Sequence, residues 1–467
     1  MTREGVIVGG GLSGTLCAVQ LLRQASAPLR VRIVERAATC GLGLAYRTHS
    51  PGHVLNVPAS GMSALPDQPE HFLDWLDRQY GERDGQAFVA RGVYGLYLQS
   101  LLAQSWRYAQ VRVTFEHVRA EAVGLEWDAR QARWKISLLD GHSLEADALV
   151  LALGYFPPQR PWGISGSLED SPLYRADPWQ SDAVEGLNPD ADVLLLGSGP
   201  TAVDLVVSLA QKRHGGRIHV LSRRGLLPLS HSLAPTANFI SSTEPPPGPL
   251  PALLSWIRAE ARRAVQAGLP WTAVMDALKP DTAKLWSHLS LEDRRRFRRH
   301  LQPYWDIHRR RIAPPVARLL ETFQASGQLQ VHAGRLLQTQ PVRSEVRTAI
   351  RFRGQVEPSF LTVARIINGT GPNTEIRDVR HPLVQQLLSS GEARPDALGV
   401  AFDTNAKGAL IGDEGTTPAL YTLGALRRGT LLDSTGVPEL RLQAQRLAQT
   451  LLVPDADTEL PVAPVRT

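Results

Sequence analysis

Two glycine-rich turns constrain this chain more than any other feature. The first holds Gly9, Gly11 and Gly14 in GGGLSG; the second holds Gly197, Gly199 and Ala202 in GSGPTA. Each follows a short apolar run, residues 5–9 (GVIVG) and 192–196 (DVLLL), and leads into a stretch of apolar residues at helical spacing, 12–24 and 201–212. Continuous apolar runs of that length suit strands buried on both faces, as in a parallel sheet. A second strand completes each unit, at 31–35 (VRIVE) and 217–221. The pattern predicts an α/β chain with two Rossmann-like dinucleotide-binding domains.

The glycines have physical reasons. The first makes the tight strand-to-helix turn, the second lets the backbone approach a pyrophosphate, and the third lets helix and strand pack closely. Leu12 and Ser13 in the first turn, and Ser198, Pro200 and Thr201 in the second, open helices whose N-termini attract phosphate. One offset then separates the two units. Counting 21 residues past the third motif position lands on Glu35, with Arg36 beside it, in the first unit, and on Arg223, with Arg224 beside it, in the second. A carboxylate there accepts from a ribose diol, whereas a guanidinium pairs with a 2′-phosphate. The expectation is FAD on the first unit and NADPH on the second, with NADH left open.

Between the units, helices are expected at 70–79 and 94–108, and strands at 111–118, 122–127, 134–138 and 149–153. Pro157, Pro158 and Pro161 mark a linker. A proline-rich run, 244–251, precedes a mostly helical stretch, 252–323, taken as an insertion in the second domain. Strands resume over 329–367, and a last helix covers 439–452 before a proline-bearing tail from Pro454. The expected domains are 1–171, the first part of the FAD domain; 172–372, the NAD(P)H domain with its insertion; and 373–467, the rest of the FAD domain.

Composition excludes several classes. With only Cys17 and Cys40, no disulfide framework, no Cys-rich metal site and no CxxC redox pair is available. No metal is expected. A net charge of +6 over 467 residues is a mild bias that suits anionic cofactors and does not call for nucleic acid. No apolar run is long enough for a membrane span, and the N-terminus enters a strand almost at once, so a cytoplasmic location is expected. The oligomeric state is not legible.

Further motifs, GLGLAY (41–46), LNVPASGMS (55–63), RGVYGLYL (91–98), SRRGLLP (222–228), INGTGPN (367–373) and LGALRRGTLLDSTGVPELRLQA (423–444), accompany the two glycine turns. With them the chain resembles a bacterial family of FAD/NAD(P)-binding proteins. That family is distantly similar to class B flavin monooxygenases and ornithine N-hydroxylases, and some members are described as FAD-dependent urate hydroxylases or amine N-oxygenases. The resemblance implies that Asn56 and Met62 contact the flavin, with Tyr46 also at the FAD. It implies that Gly154 and Gly371 close the two nucleotide domains where the chain crosses between them. It also places Gly424 to Thr430 near the flavin ribityl or ring. Many two-dinucleotide flavoproteins carry Gly-Asp there, with the acid bonding the ribityl chain, where this chain reads Gly424-Ala425.

The expected chemistry is hydride transfer from NADPH to FAD, then oxygen insertion through a C4a-hydroperoxyflavin into a small nitrogen-containing or anionic substrate. Two alternatives stand beside it. One is an NAD(P)H-dependent reductase or peroxidase using Cys40, which requires an electropositive, partly exposed thiol. The other is a redox sensor that holds both nucleotides without fast turnover. His231 is a further candidate for the cleft. The run 304–311 offers aromatic and cationic groups to an anionic substrate or, equally, its arginines 309–311 read as solvated or helix-terminal charge; 294–299 reads as an exposed helix face and not a nucleic-acid site.

Overall fold

The structure, a computed structural model, describes residues 2–48, 50–180, 183–232, 239–241 and 244–453; the tail from Pro454 lies outside them. The chain opens with β1 (Arg3–Val8), turns into α1 (Leu12–Gln24) and returns as β2 (Leu29–Val34), parallel to β1. Next come α2 (Gly43–Tyr46), α3 (His71–Tyr80), α4 (Arg91–Arg107) and β3 (Val113–Val118). A small antiparallel sheet follows, β4 (Ala122–Asp128), β5 (Arg133–Leu138) and β6 (Ser143–Ala146), and β7 (Ala148–Leu151) then pairs parallel with β1.

The second unit comprises β8 (Tyr174–Arg175), β9 (Val193–Leu196), α5 (Pro200–Gln211) and β10 (Ile218–Ser222). Among the described residues six α-helices intervene: α6 (Leu250–Gln266), α7 (Thr272–Ala277), α8 (Thr282–His288), α9 (Leu291–Arg296), α10 (Gln302–Arg309) and α11 (Pro314–Ala325), with a π-helical segment, Phe297–Leu301, between α9 and α10. Then β11 (Leu329–Val342), β12 (Glu345–Phe352), β13 (Ser359–Val363) and β14 (Arg365–Asn368) complete a sheet of order β13-β12-β11-β10-β9-β14-β8. The chain ends with α12 (Pro382–Ser389), β15 (Ala409–Gly412), β16 (Gly415–Thr422), α13 (Arg428–Leu431) and α14 (Val437–Leu452). β16 pairs parallel with β7, so the last strands finish the first sheet, β15-β16-β7-β1-β2-β3.

This is an α/β fold with two parallel-rich sheets. The fully buried strands β7 (ALVL) and β9 (VLLL) are the continuous apolar runs that a sheet covered on both faces requires; β14 (RIIN) is equally buried but carries Arg365 and Asn368 at its ends. One face of the first sheet packs on α1, α4 and α14 through Leu16, Leu98 and Leu447; the other packs Leu149 and Leu151 on the small sheet and α12. In the second sheet Val193 and Val220 meet Val206 of α5 and Leu320 of α11. That contact corrects the sequence reading of the insertion. α11 is the crossover helix joining the parallel pair β10 and β11, and the inserted helices are α6 to α10. Among the described residues no helix is long and apolar enough to cross a membrane.

Candidate functional site

The two glycine turns share one local solution. At Gly14 an added Cβ would lie 1.9 Å from the Gly9 carbonyl oxygen, so only glycine permits α1 to sit this close to β1. Gly9 has a φ of +105°, and its Cβ would lie 2.4 Å from Ala152 O at the end of β7. The second unit repeats the contact: Gly197, at φ +101°, would place a Cβ 2.2 Å from Gly369 O at the end of β14. Each turn is thus pressed against the strand that leaves its sheet. Gly154 and Gly371 stand just beyond, both at positive φ and with no atom within 4 Å of where a Cβ would be. The space beside them is open.

Neither Gly11, the N-cap of α1, nor Gly199, the N-cap of α5, offers a side chain to the helix amides. Helix starts without a cap leave amides facing out, a setting complementary to phosphate. This is a fit to a dinucleotide at both turns, with the Gly10–Gly14 and Gly199–Ala202 backbones as the cradles. Leu12 packs on the core, and Ser13 Oγ lies 2.7 Å from the position of a Gly424 Cβ, so the first turn touches the Gly424 segment.

Glu35 braces the first turn. Its Oε2 accepts from the Gly10 amide at 2.8 Å and its Oε1 from the Ala37 amide at 2.9 Å. Arg36 points outward and reaches Glu121 at 3.8 Å. In the second turn Ser198 Oγ donates to Leu226 O at 2.6 Å, holding the segment after β10. Arg223, on that segment, is exposed and has no ion pair among the described residues. Arg224 is instead engaged: it lies over the Tyr304 ring at 5.6 Å and donates to Arg299 O at 3.3 Å. Of the two arginines, Arg223 is the one without a side-chain partner among the described residues.

Asn56 is exposed at the seam between the domains, and its carbonyl accepts from His231 Nε2 at 2.9 Å. That bond assigns the ring proton to Nε2. Burial, and then the charge of Arg311, push the imidazole pKa down to about 4, so His231 is neutral and acts as a strut between the Asn56 loop and the second domain. Beside it a narrow open cleft is walled by Val54, Asn56, Arg91, Pro200, Asp204 and Ile312. It meets the N-terminus of α5.

Sequence reasoning missed the clamp that shapes this cleft. Arg91 binds Asp204 of α5 through two bonds of 2.7 and 3.0 Å, and its Nε donates to Val54 O. His53 Nε2 reaches Asp204 O and Ser208 Oγ. The signals in the sequence were RGVYGLYL, which begins with Arg91, and the position of Asp204 two residues past GSGPTA; nothing local pairs them.

The remaining expected residues have the following settings. Met62 is 2% exposed inside the first core, packed among Leu65 and Phe72, so its side chain does not face the cleft. Tyr46 is likewise buried, its ring 4.9 Å from that of Tyr94. Cys40 is buried against Gly10 and Glu35; burial, and then the Glu35 charge, push its thiol up to about 12. That is the reverse of the electropositive, exposed setting that the thiol alternative needs. The run 309–311 is not solvated: Arg309 pairs with Asp433 and Glu439, Arg310 with Asp306, and the buried Arg311 with Asp276. Within 294–299, Arg295 and Arg298 donate to Ala397 O and Leu398 O, so this face docks on the C-terminal segment. Thr430 lies 3.4 Å from Thr404. Among the described residues no group of three or more His, Cys, Asp or Glu could hold a metal ion.

A family model described as FAD-NAD(P)-binding matches residues 6–156, so the first sheet through β7 carries an FAD/NAD(P)-binding domain. No curated protein matches the sequence. The fold is similar to that of the ornithine N-hydroxylase of Kutzneria sp. 744, solved with FAD, NADP+ and L-ornithine; the TM-score is 0.64 at 15% identity, covering 97% of this chain and 99% of that one. It is similar also to the FAD-bound cadaverine monooxygenase of Erwinia amylovora, with a TM-score of 0.65 at 12% identity over 100% and 99% of the two chains. The bacillithiol disulfide reductase of Bacillus cereus aligns less well, at a TM-score of 0.54 and 12% identity over 97% and 99%.

Proposed function

We propose that this chain is an FAD-dependent NAD(P)H oxidoreductase, a flavin monooxygenase that hydroxylates a small nitrogen-containing or anionic substrate. The observation that carries the reading is the duplication at Gly9 and Gly197. Two uncapped helix starts, each pressed on the crossover strand of its own sheet, suit two dinucleotides in one molecule. The ornithine and cadaverine enzymes, similar along their whole lengths, supply the N-oxygenating class.

In this reading residues 1–171 and 373–467 hold FAD and 172–372 hold NADPH, with NADH accepted less well. Bound together, the two cofactors supply hydride transfer and oxygen activation. The protein supplies position. Glu35 keeps the first turn shaped and offers its remaining lone pairs to a ribose. Arg223 meets a 2′-phosphate. Asn56, held by His231, and the Arg91–Asp204 clamp fix the wall where the two rings approach. Two free cysteines, both buried, suit a reducing cytoplasm. The partners are a small substrate and O2. The buried neutral Cys40 gives no support to a thiol route.

The purified protein should be yellow and should oxidise NADPH with matching oxygen uptake when a panel of small amines, amino acids, purines and organic acids is supplied. Arg223→Glu should raise the KM for NADPH by about tenfold or more while leaving that for NADH nearly unchanged, because one charge-assisted phosphate contact becomes a repulsion. Colourless protein, or NADPH oxidation that no panel member accelerates, would sink the reading.

A further inference from the structure

Along α2, α3 and α4, oxidisable rings stand in a row. Tyr46 lies 4.9 Å from Tyr94, Tyr94 5.4 Å from Tyr97, Tyr97 5.5 Å from Trp75 and Trp75 5.9 Å from Tyr80, centre to centre. The row begins on α2, whose first residue, Gly43, lies against Gly11 of the first glycine turn. It ends at the surface, where Tyr80 is 49% exposed. Its middle is sealed: Tyr94 and Tyr97 are fully buried and Trp75 nearly so. Packing alone does not account for these residue types. Tyr94 Oη and Trp75 Nε1 are buried with no hydrogen-bond partner among the described residues, a penalty that phenylalanine would avoid. Tyr97 differs. Its Oη accepts from the Ala64 amide at 3.2 Å and faces Nδ1 of the partly exposed His71 at 3.0 Å. Burial, and then the charges of Arg78 and Arg23, hold the imidazole below its usual range, so at neutral pH Nδ1 is free to accept from the phenol.

We infer that this row is a relay for one-electron oxidising equivalents between the flavin side of the first domain and the surface at Tyr80, with Tyr97 as the residue where the radical rests and His71 as its proton acceptor. Tyrosine and tryptophan give up a single electron far more readily than phenylalanine, and rings at this spacing pass it in short steps. An oxidised phenol is a strong acid, so a tyrosyl radical persists only where its proton has somewhere to go. Of Tyr94, Trp75 and Tyr97, only Tyr97 has such an acceptor. Tyr97 loses one electron, through Tyr94 and Tyr46, to an oxygen-derived radical, which becomes its anion. The phenolic proton moves to His71 Nδ1, leaving a neutral radical beside an imidazolium. An electron from Tyr80 through Trp75 refills Tyr97, and the proton returns. The Tyr80 radical, its own proton lost to water, takes a hydrogen atom from a soluble thiol. In a chain that brings reduced flavin to oxygen, the row leads stray oxidant away. That use rests on the oxidoreductase reading; conduction between Tyr80 and Tyr97 does not.

The pairing also predicts a pH dependence. The charged groups facing His71 are Asp74 and Arg78 on α3, Arg23 near the end of α1 and Asp67 before α3. A protonated His71 cannot accept, so the radical yield should fall as pH is lowered through the imidazole titration. Tyr155 stands outside the row and is the competing resting place: burial raises its phenol, but Arg428 and Arg310 bring it down to about 8.

Flash photolysis without thiol reads the relay from both ends. From outside, photogenerated tris(bipyridine)ruthenium(III) oxidises exposed rings; from inside, a blue flash on the flavin-loaded protein oxidises the rings nearest the cofactor. Electron paramagnetic resonance of rapidly frozen samples should show a long-lived tyrosyl radical in both arms, formed more slowly in heavy water and lost in Tyr97→Phe. His71→Gln should shorten its life and remove the pH dependence. Trp75→Phe should remove the radical from the outside arm alone and Tyr94→Phe from the inside arm alone, although each keeps a ring in place. Tyr94→Phe deletes only an unpaired hydroxyl, so it should be at least as stable as the parent in urea and carries the decision if Tyr97→Phe does not fold. A radical that persists in Tyr97→Phe, that is lost instead in Tyr155→Phe, or that is missing from either arm of yellow protein overturns the assignment. Flavin colour in the same samples reports separately on the oxidoreductase reading. Colourless protein that forms the Tyr97 radical from outside removes that reading and keeps the conduction, while yellow protein without the radical does the reverse.

Discussion

At the scale of single residues, the environment decides what a side chain can do. Cys40 shows this. With a thiol at about 12, roughly one molecule in ten thousand carries a thiolate at pH 8, against a sizeable fraction for an ordinary cysteine. Cys40→Ser should therefore keep NADPH-driven turnover within about twofold, and iodoacetamide should leave the folded native protein unlabelled at that pH. A large loss of turnover on that substitution would restore the thiol route. Tyr155 is perturbed in the opposite direction. Raising the pH from 7 to 10 should ionise one tyrosine ahead of the rest, near pH 8, seen as an early step in the tyrosinate difference spectrum. The step should be missing in Tyr155→Phe; if it persists there, another tyrosine is the acidic one.

At the scale of elements, legibility followed the range of the signal. The units β1-α1-β2 and β9-α5-β10 were readable because strand, glycine turn and helix are contiguous; Gly14 answers its near neighbour Gly9, whereas Gly9 and Gly197 press on Ala152 and Gly369, far along the chain. α12, β15 and β16 escaped. β16 contains Pro418, and a proline argues against a central strand. The structure removes the conflict: the ladder with β7 begins only at Leu420, past the proline, whose carbonyl accepts from Trp134 Nε1. The Arg91–Asp204 clamp was equally hidden, because it joins α4 to α5 across 113 residues of chain. Both side chains are largely buried, at 16% and 11% exposure, so a lone survivor is left without its partner. Asp204→Asn should cost about 3 kcal/mol in urea unfolding, and Arg91→Met/Asp204→Asn should recover part of that. Strictly additive effects would show that the two residues do not act as a pair.

At the scale of the whole molecule, the inserted helices connect the two sheets. Trp286 Nε1 donates to Gly429 O at 2.8 Å, Arg298 to Leu398 O at 3.2 Å, and Arg309 binds Asp433 and Glu439 at the start of α14. On the other side the chain leading into the insertion runs from β10 past His231, which holds the Asn56 loop. The insertion can therefore restrain the crossover at Tyr155, the turn at Arg428 and the seam at Asn56 together. Arg309 is the strongest link, because it neutralises two carboxylates at once and is 13% exposed. Arg309→Met keeps the bulk but leaves both acids unpaired in a largely buried setting, a change worth about 3–5 kcal/mol. The loss should be local before it is global: the helices α6 to α10 should undock while both sheets persist. Limited proteolysis should then cut Arg309→Met within 250–309 at protease levels that leave the parent chain whole, and the surviving pieces should keep their circular dichroism. Cleavage spread evenly over sheets and insertion, or a variant as resistant as the parent, would mean that the insertion is not an independently released element.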